Sequence, residues 1–261
     1  MATIISIANQ KGGVGKTTTA VNLATALAAV RKRVLLIDFD PQSNATTGLG
    51  IYSKKLNTSY DLLMRTKTLS ETIVKTSIPG LTLIPASIDL VGAEIELVQV
   101  KDREKILKNA LEPYGDMFDY VIVDSPPSMG ILSLNSLVAA DGVLVPLQCE
   151  YYALEGLSYL LGSISRIRAA YNSKLQLFGI VLTMFDKRNA LSLSVEKDVR
   201  GHLGDVVFNS IIPRNIKISE APSYGRPVLI YDVKCAGACA YMELAKEFLA
   251  KEGKWKTITT N

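Results

Sequence analysis

The sequence contains only three cysteines and one histidine among its 261 residues. Three cysteines are too few for a disulfide framework, and a structural zinc site would need four ligands of suitable type. We therefore expect Cys149, Cys235 and Cys239 to be buried, reduced thiols. This shortage excludes the small disulfide-rich scaffolds and the zinc-stabilised domains.

Long hydrophobic runs are also missing, although 48% of the residues are hydrophobic. No apolar stretch reaches the length needed to span a bilayer, which excludes a transmembrane protein. Residues 1–7 lack the basic start and the long apolar core of a signal peptide. We interpret them as the first strand of a cytoplasmic protein.

The net charge is modest, at +4, and it is unevenly distributed. Residues 1–149 contain 14 Lys/Arg and 14 Asp/Glu, whereas residues 150–261 contain 15 and 11, so the whole excess lies in the C-terminal part. Such an excess is compatible with a surface that binds a polyanion, although composition alone favours an ordinary solvated surface.

Short apolar segments rich in β-branched residues alternate with helical segments along the chain. Strands are predicted at residues 4–8, 34–37, 81–84, 120–123, 143–145 and 178–182, and helices at 17–29, 103–111, 154–170 and 241–251. Nearly continuous apolar strands are typical of parallel strands covered on both faces. The alternation predicts an α/β fold with a doubly wound, mostly parallel sheet, helices on both faces and right-handed crossovers.

No repeat, linker or low-complexity segment divides the chain. We expect a single domain over residues 1–253, with Gly253 interrupting the last helix. Residues 254–261 are predicted to form a polar C-terminal tail that frays.

In such a fold ligands bind beyond the carboxyl ends of the strands, and a glycine-rich loop follows the first predicted strand. Residues 10–18 read Gln-Lys-Gly-Gly-Val-Gly-Lys-Thr-Thr. Glycines let backbone N–H groups turn toward a phosphate, and a helix N-terminus adds partial positive charge. Lys16 can reach the β- and γ-phosphates, and the Thr17 hydroxyl suits Mg²⁺. The strand–loop–helix context predicts a P-loop that binds ATP and Mg²⁺.

The loop departs from the ordinary P-loop pattern at two positions. Gln10 stands where the pattern requires glycine, and Lys11 adds a second lysine. A lysine beside Lys16 adds like-charge repulsion unless it meets an anion. Lys11 therefore contacts either its own nucleotide or one held by another subunit.

Aspartates stand at the ends of two further predicted strands. Asp40 closes the second strand and is placed to hold a water near the phosphates. Asp124 follows four apolar residues and is the expected second carboxylate of a P-loop ATPase, set to bind the Mg²⁺ shell. For Asp38 a capping or structural role is as plausible as a functional one. The Pro-, Gly-, Ser- and Thr-rich segments after Asp40 and Asp124 fit switch loops that respond to the γ-phosphate.

These residues resemble a known family. Residues 11–17, Lys-Gly-Gly-Val-Gly-Lys-Thr, resemble the deviant Walker A motif of the ParA/MinD ATPases, which share the P-loop NTPase fold. Further segments in the same order resemble the ParA/Soj chromosome-partitioning branch: residues 38–42, 123–127, 150–156, 212–215, 219–222 and 237–243.

The resemblance implies a set of site residues. ATP would be bound by the P-loop and by two residues that line the adenine, namely Lys11, Gly12, Gly13, Val14, Gly15, Lys16, Thr17, Thr18, Pro213 and Asn215. Mg²⁺ would be held by Thr17, Asp40 and Asp124. Lys11, Lys16 and Asp40 would be catalytic, with Lys11 reaching the phosphates across a dimer and Asp40 positioning the attacking water.

The resemblance also implies how such an ATPase works. Members pair face to face around ATP, and the ATP-bound homodimer binds DNA without sequence preference. A ParB-type protein on centromere-like DNA stimulates hydrolysis and releases the dimer, in chromosome or plasmid segregation. Arg188 and Lys217 match positions implicated in DNA contact, which implies a nucleoid-associated protein. Some members also influence the replication initiator. Operator binding is not expected, because no helix-turn-helix precedes the P-loop.

Three other kinds of ATPase compete with this interpretation. A membrane-cycling ATPase like MinD would end in a basic amphipathic helix, whereas the apolar face near the C-terminus is sparse. An electron-transfer ATPase like the nitrogenase iron protein would need cysteines near the switch loops. A metabolic P-loop ligase would need a small-substrate pocket, for which the sequence gives no clear sign.

Overall fold

The computed structural model describes residues 1–52 and 55–259, apart from the side chains of residues 254 and 256–259. The described residues form one eight-stranded sheet in the order β3-β4-β2-β5-β1-β6-β7-β8. Its strands are β1 (Thr3–Ile7), β2 (Val34–Asp38), β3 (Val74–Lys75), β4 (Leu81–Ile84), β5 (Tyr120–Asp124), β6 (Gly142–Gln148), β7 (Gln176–Phe185) and β8 (Val207–Pro213). All pairings are parallel except β3 with β4. The predicted fold class is confirmed.

Helices fill the connections between the strands. They are α1 (Lys16–Ala29), α2 (Asn44–Gly48), α3 (Ser59–Leu63), α4 (Leu69–Thr72), α5 (Leu90–Glu96), α6 (Ile106–Leu111), α7 (Ile131–Ala139), α8 (Ala153–Ala170), α9 (Ala190–Leu203), α10 (Ile216–Glu220), α11 (Val228–Tyr231) and α12 (Ala236–Thr259). None of the helices in the described ranges is both long and apolar enough to cross a membrane.

The core lies on both faces of the sheet. Helices α1 and α12 cover one face, where they pack with Leu36 and Ile122. The other face is covered by α7, α8 and α9 toward one edge and by α3, α5 and α6 toward the other, packing with Leu35 and Val121. Consecutive strand residues such as Leu35 and Leu36 are therefore both fully buried, on opposite faces, which is why the strands read as continuous apolar runs.

Two edge strands, β3 and β8, were not predicted from the sequence. Strand β3 is only two residues long and is half exposed, so it carries no apolar run. The apolar run of β8 is interrupted by Asn209 and Ser210, residue types that are typical of loops. The backbone N–H groups of both donate to the Glu247 carboxylate of α12, at 2.7 and 2.8 Å. A tertiary contact thus satisfies an edge whose sequence lacks strand character.

The last helix is longer than the sequence predicts. Helix α12 continues through Gly253 to Thr259, so the prediction that Gly253 interrupts it is wrong. The predicted boundary between residues 253 and 254 falls inside this helix, and residues 260–261 of the predicted tail lie outside the described residues. Tertiary contacts explain the extension, because buried Glu252 accepts hydrogen bonds from Thr3 and Tyr120, at 2.7 and 2.6 Å. Trp255 packs edge-on against Phe178, with ring centroids 5.4 Å apart.

The cysteines only partly meet the expectation. All three are free thiols, but only Cys149 is buried. Cys235 is half-buried just before α12 and packs against the core, whereas Cys239 is exposed in the first turn of that helix.

Replacing Gly253 with alanine tests the course of α12. A Cβ at this position meets nothing within 4 Å, and alanine is favoured over glycine inside a helix by up to about 1 kcal/mol. We expect Gly253→Ala to raise the free energy of unfolding in urea by a few tenths to about 1 kcal/mol.

The matched control is Gly80→Ala, because Gly80 has φ +84° and a Cβ there would lie 3.0 Å from the Lys32 carbonyl oxygen. That substitution should destabilise the protein. Destabilisation by Gly253→Ala as well would contradict a continuous helix.

Candidate ATP and magnesium site

The site begins with the register of three central strands. Ile7 of β1 pairs with Asp124 of β5, and Asp38 of β2 pairs with the same Asp124. The carboxyl ends of these parallel strands therefore meet at one edge of the sheet. The P-loop follows Ile7 directly, and Asp40 lies two residues beyond Asp38, so this edge collects the predicted phosphate and metal ligands.

The P-loop adopts a conformation that requires glycine. Gly13 and Gly15 have φ of +76° and +88°, in the left-handed region that favours glycine. The space around Gly12 is open, since a Cβ there would meet nothing within 4 Å. The backbone of the loop is pinned from outside, since the Thr183 hydroxyl donates to the Val14 carbonyl oxygen at 2.8 Å. The side-chain amide of Asn9 donates to the Pro146 carbonyl oxygen, also at 2.8 Å. The loop therefore has open space at Gly12, and two hydrogen bonds hold it in place.

Lys16 stands at the first position of α1 and is only 7% exposed. Its ammonium group donates to the Lys11 carbonyl oxygen at 2.9 Å. Burial lowers the pKa of Lys16, while the nearby carboxylates of Asp124 and Asp40 act in the opposite direction. A buried cation beside two carboxylates at a helix N-terminus is suited to hold terminal phosphates.

Asp124 is the most unusual carboxylate of the described chain. It is fully buried, and neither of its oxygens has a hydrogen-bond partner. Burial raises the pKa of Asp124 well above its ordinary value, and Asp38 raises it further. Thr17 and Lys16 oppose this shift by proximity, but the Thr17 hydroxyl does not reach hydrogen-bonding geometry in the structure. A buried carboxylate with both oxygens unpaired is what a cation would satisfy.

The residues at this edge fit Mg²⁺ bound together with a nucleotide. No group of three or more His, Cys, Asp or Glu side chains within the described ranges is arranged to hold a metal alone. Mg²⁺ in nucleotide sites takes one or two protein ligands and completes its shell with phosphates and waters. Thr17 lines a cavity of about 270 Å³ between α1 and α2. Thr17 and Asp124, which lie close to each other, would hold the ion.

Asp38 and Asp40 have different surroundings. The Asp38 carboxylate accepts hydrogen bonds from the backbone N–H and the hydroxyl of Thr46, at 2.8 and 2.7 Å, and so holds the start of α2. Asp38 thus has a structural role. Asp40 is more peripheral, and one of its oxygens accepts the Gln42 N–H at 2.9 Å. Asp40 precedes the predicted first switch loop (residues 41–50), and Asp124 precedes the predicted second switch loop (residues 125–130).

Lys11 has an acidic partner in its own chain. Its half-exposed ammonium group forms an ion pair with Glu150, which follows β6. A second lysine in the P-loop is expected to need an anion nearby, and Glu150 supplies one from within the same chain. Sequence reasoning missed this contact because the two residues are 139 positions apart.

A cavity of about 400 Å³ adjoins the P-loop and brings together the predicted adenine-binding residues. Its walls include Gly15, Thr18, Pro213 and Asn215. Thr183, Met184 and Tyr241 also line it, and they were not predicted. Thr183 and Met184 directly follow the predicted end of the sixth strand, so the rule of searching beyond strand ends would have found them. Met184 has φ +51°, an uncommon conformation for a side chain other than glycine.

The predicted DNA-binding residues lie outside this cavity or at its margin. Arg188 is exposed and bonded to Asp186 at 2.8 Å. It lines a neighbouring cavity of about 780 Å³ with Lys187 and Arg214, and this cavity shares Pro213 and Arg214 with the first one. Lys217 pairs with Glu220 at 3.0 Å and lies over the Tyr231 ring. The structure therefore does not bring Arg188 and Lys217 into one cavity.

Comparison with known proteins also indicates an ATPase. A family model described as an AAA domain matches residues 2–177. The chain is 54% identical to the chromosome partitioning protein ParA of Caulobacter vibrioides, over 95% of this chain and 94% of that protein. It is 49% identical to the sporulation initiation inhibitor protein Soj of Bacillus subtilis, over 96% and 99%.

A solved structure is similar over the same extent. The cobyrinic acid a,c-diamide synthase of Mycobacterium smegmatis, with bound ATP analogue and magnesium, is 39% identical over 95% of both chains. The TM-score of the two folds is 0.83. These similarities establish an ATPase whose cofactors are ATP and Mg²⁺.

The buried carboxylates predict how stability changes with pH. Burial raises the pKa of Asp38 to about 6 and raises that of Asp124 as well, whereas an aspartate in the unfolded chain titrates near 3.9. The folded protein therefore holds these protons at higher pH than the unfolded chain. The stabilisation of the folded state by protonation of these two carboxyl groups is fully present below about pH 4. It is lost as the pH rises through the folded-state pKa values.

We expect Asp124→Asn to remove part of the loss of stability that occurs as the pH rises. Without nucleotide or Mg²⁺, the free energy of unfolding of the variant minus that of wild type should increase as the pH rises above about 4, where the unfolded aspartate titrates, toward the raised pKa of Asp124. Asp198→Asn, at an exposed aspartate, is the control and should give no such trend. A difference independent of pH for Asp124→Asn would contradict the assignment of an unpaired, proton-holding carboxylate.

Proposed function

Because the chain belongs to the ParA/Soj family of chromosome-partitioning ATPases, we propose that it segregates chromosomes or plasmids through an ATP-driven homodimer. The ATP-bound dimer binds DNA without sequence preference, and a ParB-type centromere-binding protein stimulates hydrolysis and releases it. The protein acts in the cytoplasm on the nucleoid. The observation that carries this proposal is the buried, unpaired Asp124 carboxylate beside Lys16 at the start of α1.

In this proposal each residue at the edge of the sheet has one task. Lys16 and the backbone of residues 11–18 bind the phosphates, and Pro213 and Asn215 line the adenine. Thr17 and Asp124 hold the Mg²⁺ shell with Asp40, and Mg²⁺ neutralises charge that develops on the phosphates. Asp40 orients the attacking water, consistent with its more accessible place at the start of the first switch loop.

Lys11 acts across the dimer in this proposal. Its ammonium group is half exposed at the tip of the P-loop, and its Glu150 partner is followed by the exposed side chains of Tyr151 and Tyr152. An exposed ion pair contributes little to stability. Lys11 can therefore leave Glu150 at low cost when a second subunit presents a phosphate.

Lys11→Ala should bind ATP yet fail to dimerise, because the cross-subunit phosphate contact is lost. Light scattering with a slowly hydrolysed ATP analogue measures dimerisation, and calorimetry measures binding. Lys246→Ala is the control, since Lys246 is a surface lysine paired with Glu243. Normal dimerisation of Lys11→Ala would rule out its action in trans.

The DNA surface is proposed around the C-terminal charge excess. Eight basic side chains stand against five acidic ones in residues 187–234. Arg188, Lys187 and Arg214 line one basic cavity. Some of this charge is internally compensated, because Arg188 and Lys217 each have an acidic partner. A monomer would therefore bind DNA weakly, and pairing two such surfaces would strengthen binding.

Arg188→Glu and Lys217→Glu should each weaken binding to all DNA sequences by about tenfold and flatten its salt dependence, because fewer phosphates are neutralised. Asp186→Asn should act in the opposite direction, since it releases the Arg188 charge. Fluorescence anisotropy with two unrelated duplexes over a salt series measures these effects.

Lys246→Glu is the matched charge reversal outside the proposed surface, and ATP-driven dimerisation is the folding control. Unchanged DNA affinity in both Arg188→Glu and Lys217→Glu would place the surface elsewhere.

A metabolic ligase is the second candidate, favoured by the name of the Mycobacterium smegmatis structure. The relatives whose names state chromosome partitioning are more similar in sequence, at 47–54% identity against 39%. ATP turnover that rises with DNA and a ParB-type protein supports partitioning. Turnover that rises only with cobyrinic acid and an amide donor supports the ligase.

Membrane cycling is less well supported. A membrane-binding helix needs an apolar face that is free to enter the bilayer. In α12 the apolar residues Tyr241, Leu244 and Phe248 are buried against the sheet. We therefore propose that the protein has no membrane partner.

A further inference from the structure

Helix α5 has two apolar faces, and only one of them is covered. Leu90, Ala93 and Leu97 are buried in the core. Along the same segment Ile88, Val91, Ile95 and Val98 are 64%, 55%, 76% and 53% exposed. We call these four side chains the α5 stripe. An amphipathic surface helix normally directs polar residues to solvent. A row of exposed apolar side chains, as in the stripe, is typical of an interaction site.

The stripe is contiguous. Its members are separated by three, four and three residues, through a turn, α5 and the 3₁₀ turn Leu97–Gln99. Residues at this spacing lie on one side of a helix. The stripe therefore forms a single apolar strip about three turns long, opposite the buried face.

Acidic residues flank the stripe. Between Lys75 and Lys101 the chain has no basic residue, and its only charged residues are Asp89, Glu94 and Glu96. By helical spacing, Asp89 and Glu96 lie on one side of the stripe and Glu94 on the other. Arg103 lies at the C-terminal end of the stripe, where its guanidinium donates to the Val98 carbonyl oxygen. The negative charge therefore borders the two long sides of the stripe and not this end.

We propose that the α5 stripe binds a basic amphipathic helix of a partner protein, with its apolar side chains against Ile95 and its neighbours and its lysines or arginines beside the three carboxylates. Helix-in-groove recognition uses such spaced apolar anchors. Complementary charge at the border gives orientation and fast association. The negative border disfavours DNA and anionic lipid as occupants.

Helix α5 and the segment just before it contact both predicted switch loops. The Glu94 carboxylate lies so close to Gly130, in the second switch loop, that a Cβ there would collide with it. On the other side, the Ala86 N–H donates to the Thr46 hydroxyl at 3.0 Å, and this hydroxyl donates to Asp38. A helix bound to the stripe therefore contacts an element that touches the loops after Asp40 and Asp124. Resting on the proposed function, this makes the α5 stripe the surface through which a stimulating partner changes ATP turnover.

Binding is tested with a fluorescein-labelled 18-residue peptide of leucine and lysine at amphipathic helical spacing. Anisotropy should show binding to wild type that weakens with salt. Ile95→Asp should weaken it about tenfold or more, as should Asp89→Asn/Glu94→Gln/Glu96→Gln. A leucine–glutamate peptide of the same pattern should not bind. Val233→Asp is the matched control, because Val233 is similarly exposed, at 63%, but belongs to another surface.

Equal peptide affinity for wild type and Ile95→Asp would overturn the proposal. Loss of ATP-driven dimerisation in Ile95→Asp, without peptide binding to wild type, would also overturn it by making the stripe a contact between copies of the chain.

A second measurement addresses turnover with a ParB-type protein from the same genome. Stimulation of wild type but not of Ile95→Asp, with unchanged DNA binding, is expected. Equal stimulation of both would overturn the regulatory role of the stripe. Absence of stimulation in wild type would count against the proposed function, while the peptide result would still decide the binding site.

Discussion

The register that places Asp38 and Asp124 side by side at the carboxyl edge of the sheet is the constraint on which the site depends. Two neighbouring parallel strands end in aspartate, and both side chains are fully buried. Asp38 is satisfied by Thr46, whereas Asp124 is left with no partner. A buried, unpaired carboxylate is costly unless it gains a proton or a cation. The fold therefore places a carboxylate without a hydrogen-bond partner at the edge where the nucleotide is expected.

The two predicted switch loops are attached to the same pair of strand ends. Asp38 anchors the first switch loop through Thr46, and Asp124 leads directly into the second. Beneath them, the hydroxyl of Ser6 lies 3.2 Å from that of Ser125 and 2.7 Å from that of Ser136. This buried contact ties the second loop to β1 and α7. A change in charge at Asp124 therefore acts on two loops that share one anchored base.

Local patterns were enough to predict much of the molecule. The P-loop, the strands around it and the strand-end positions of Asp40 and Asp124 follow from residue types at short spacing. The pairing of Lys11 with Glu150 does not, because it depends on how β6 ends relative to the P-loop. Strand β8 and the end of α12 were missed for the same reason: Glu247 and Glu252 satisfy backbone and side-chain groups that lie far away in the sequence. The α5 stripe was not predicted either, because only the structure shows which apolar residues around α5 are buried and which are exposed.

The central claim is that Asp124 exchanges its proton for the cation that accompanies the nucleotide. Calorimetry of ADP binding in buffers of different ionisation enthalpy counts the protons released. At pH values below the raised pKa of Asp124, wild type should release more protons with saturating Mg²⁺ than it does in EDTA, because the metal ligand must be ionised. In Asp124→Asn this difference should disappear. An equal proton count with and without Mg²⁺ in wild type would contradict the account.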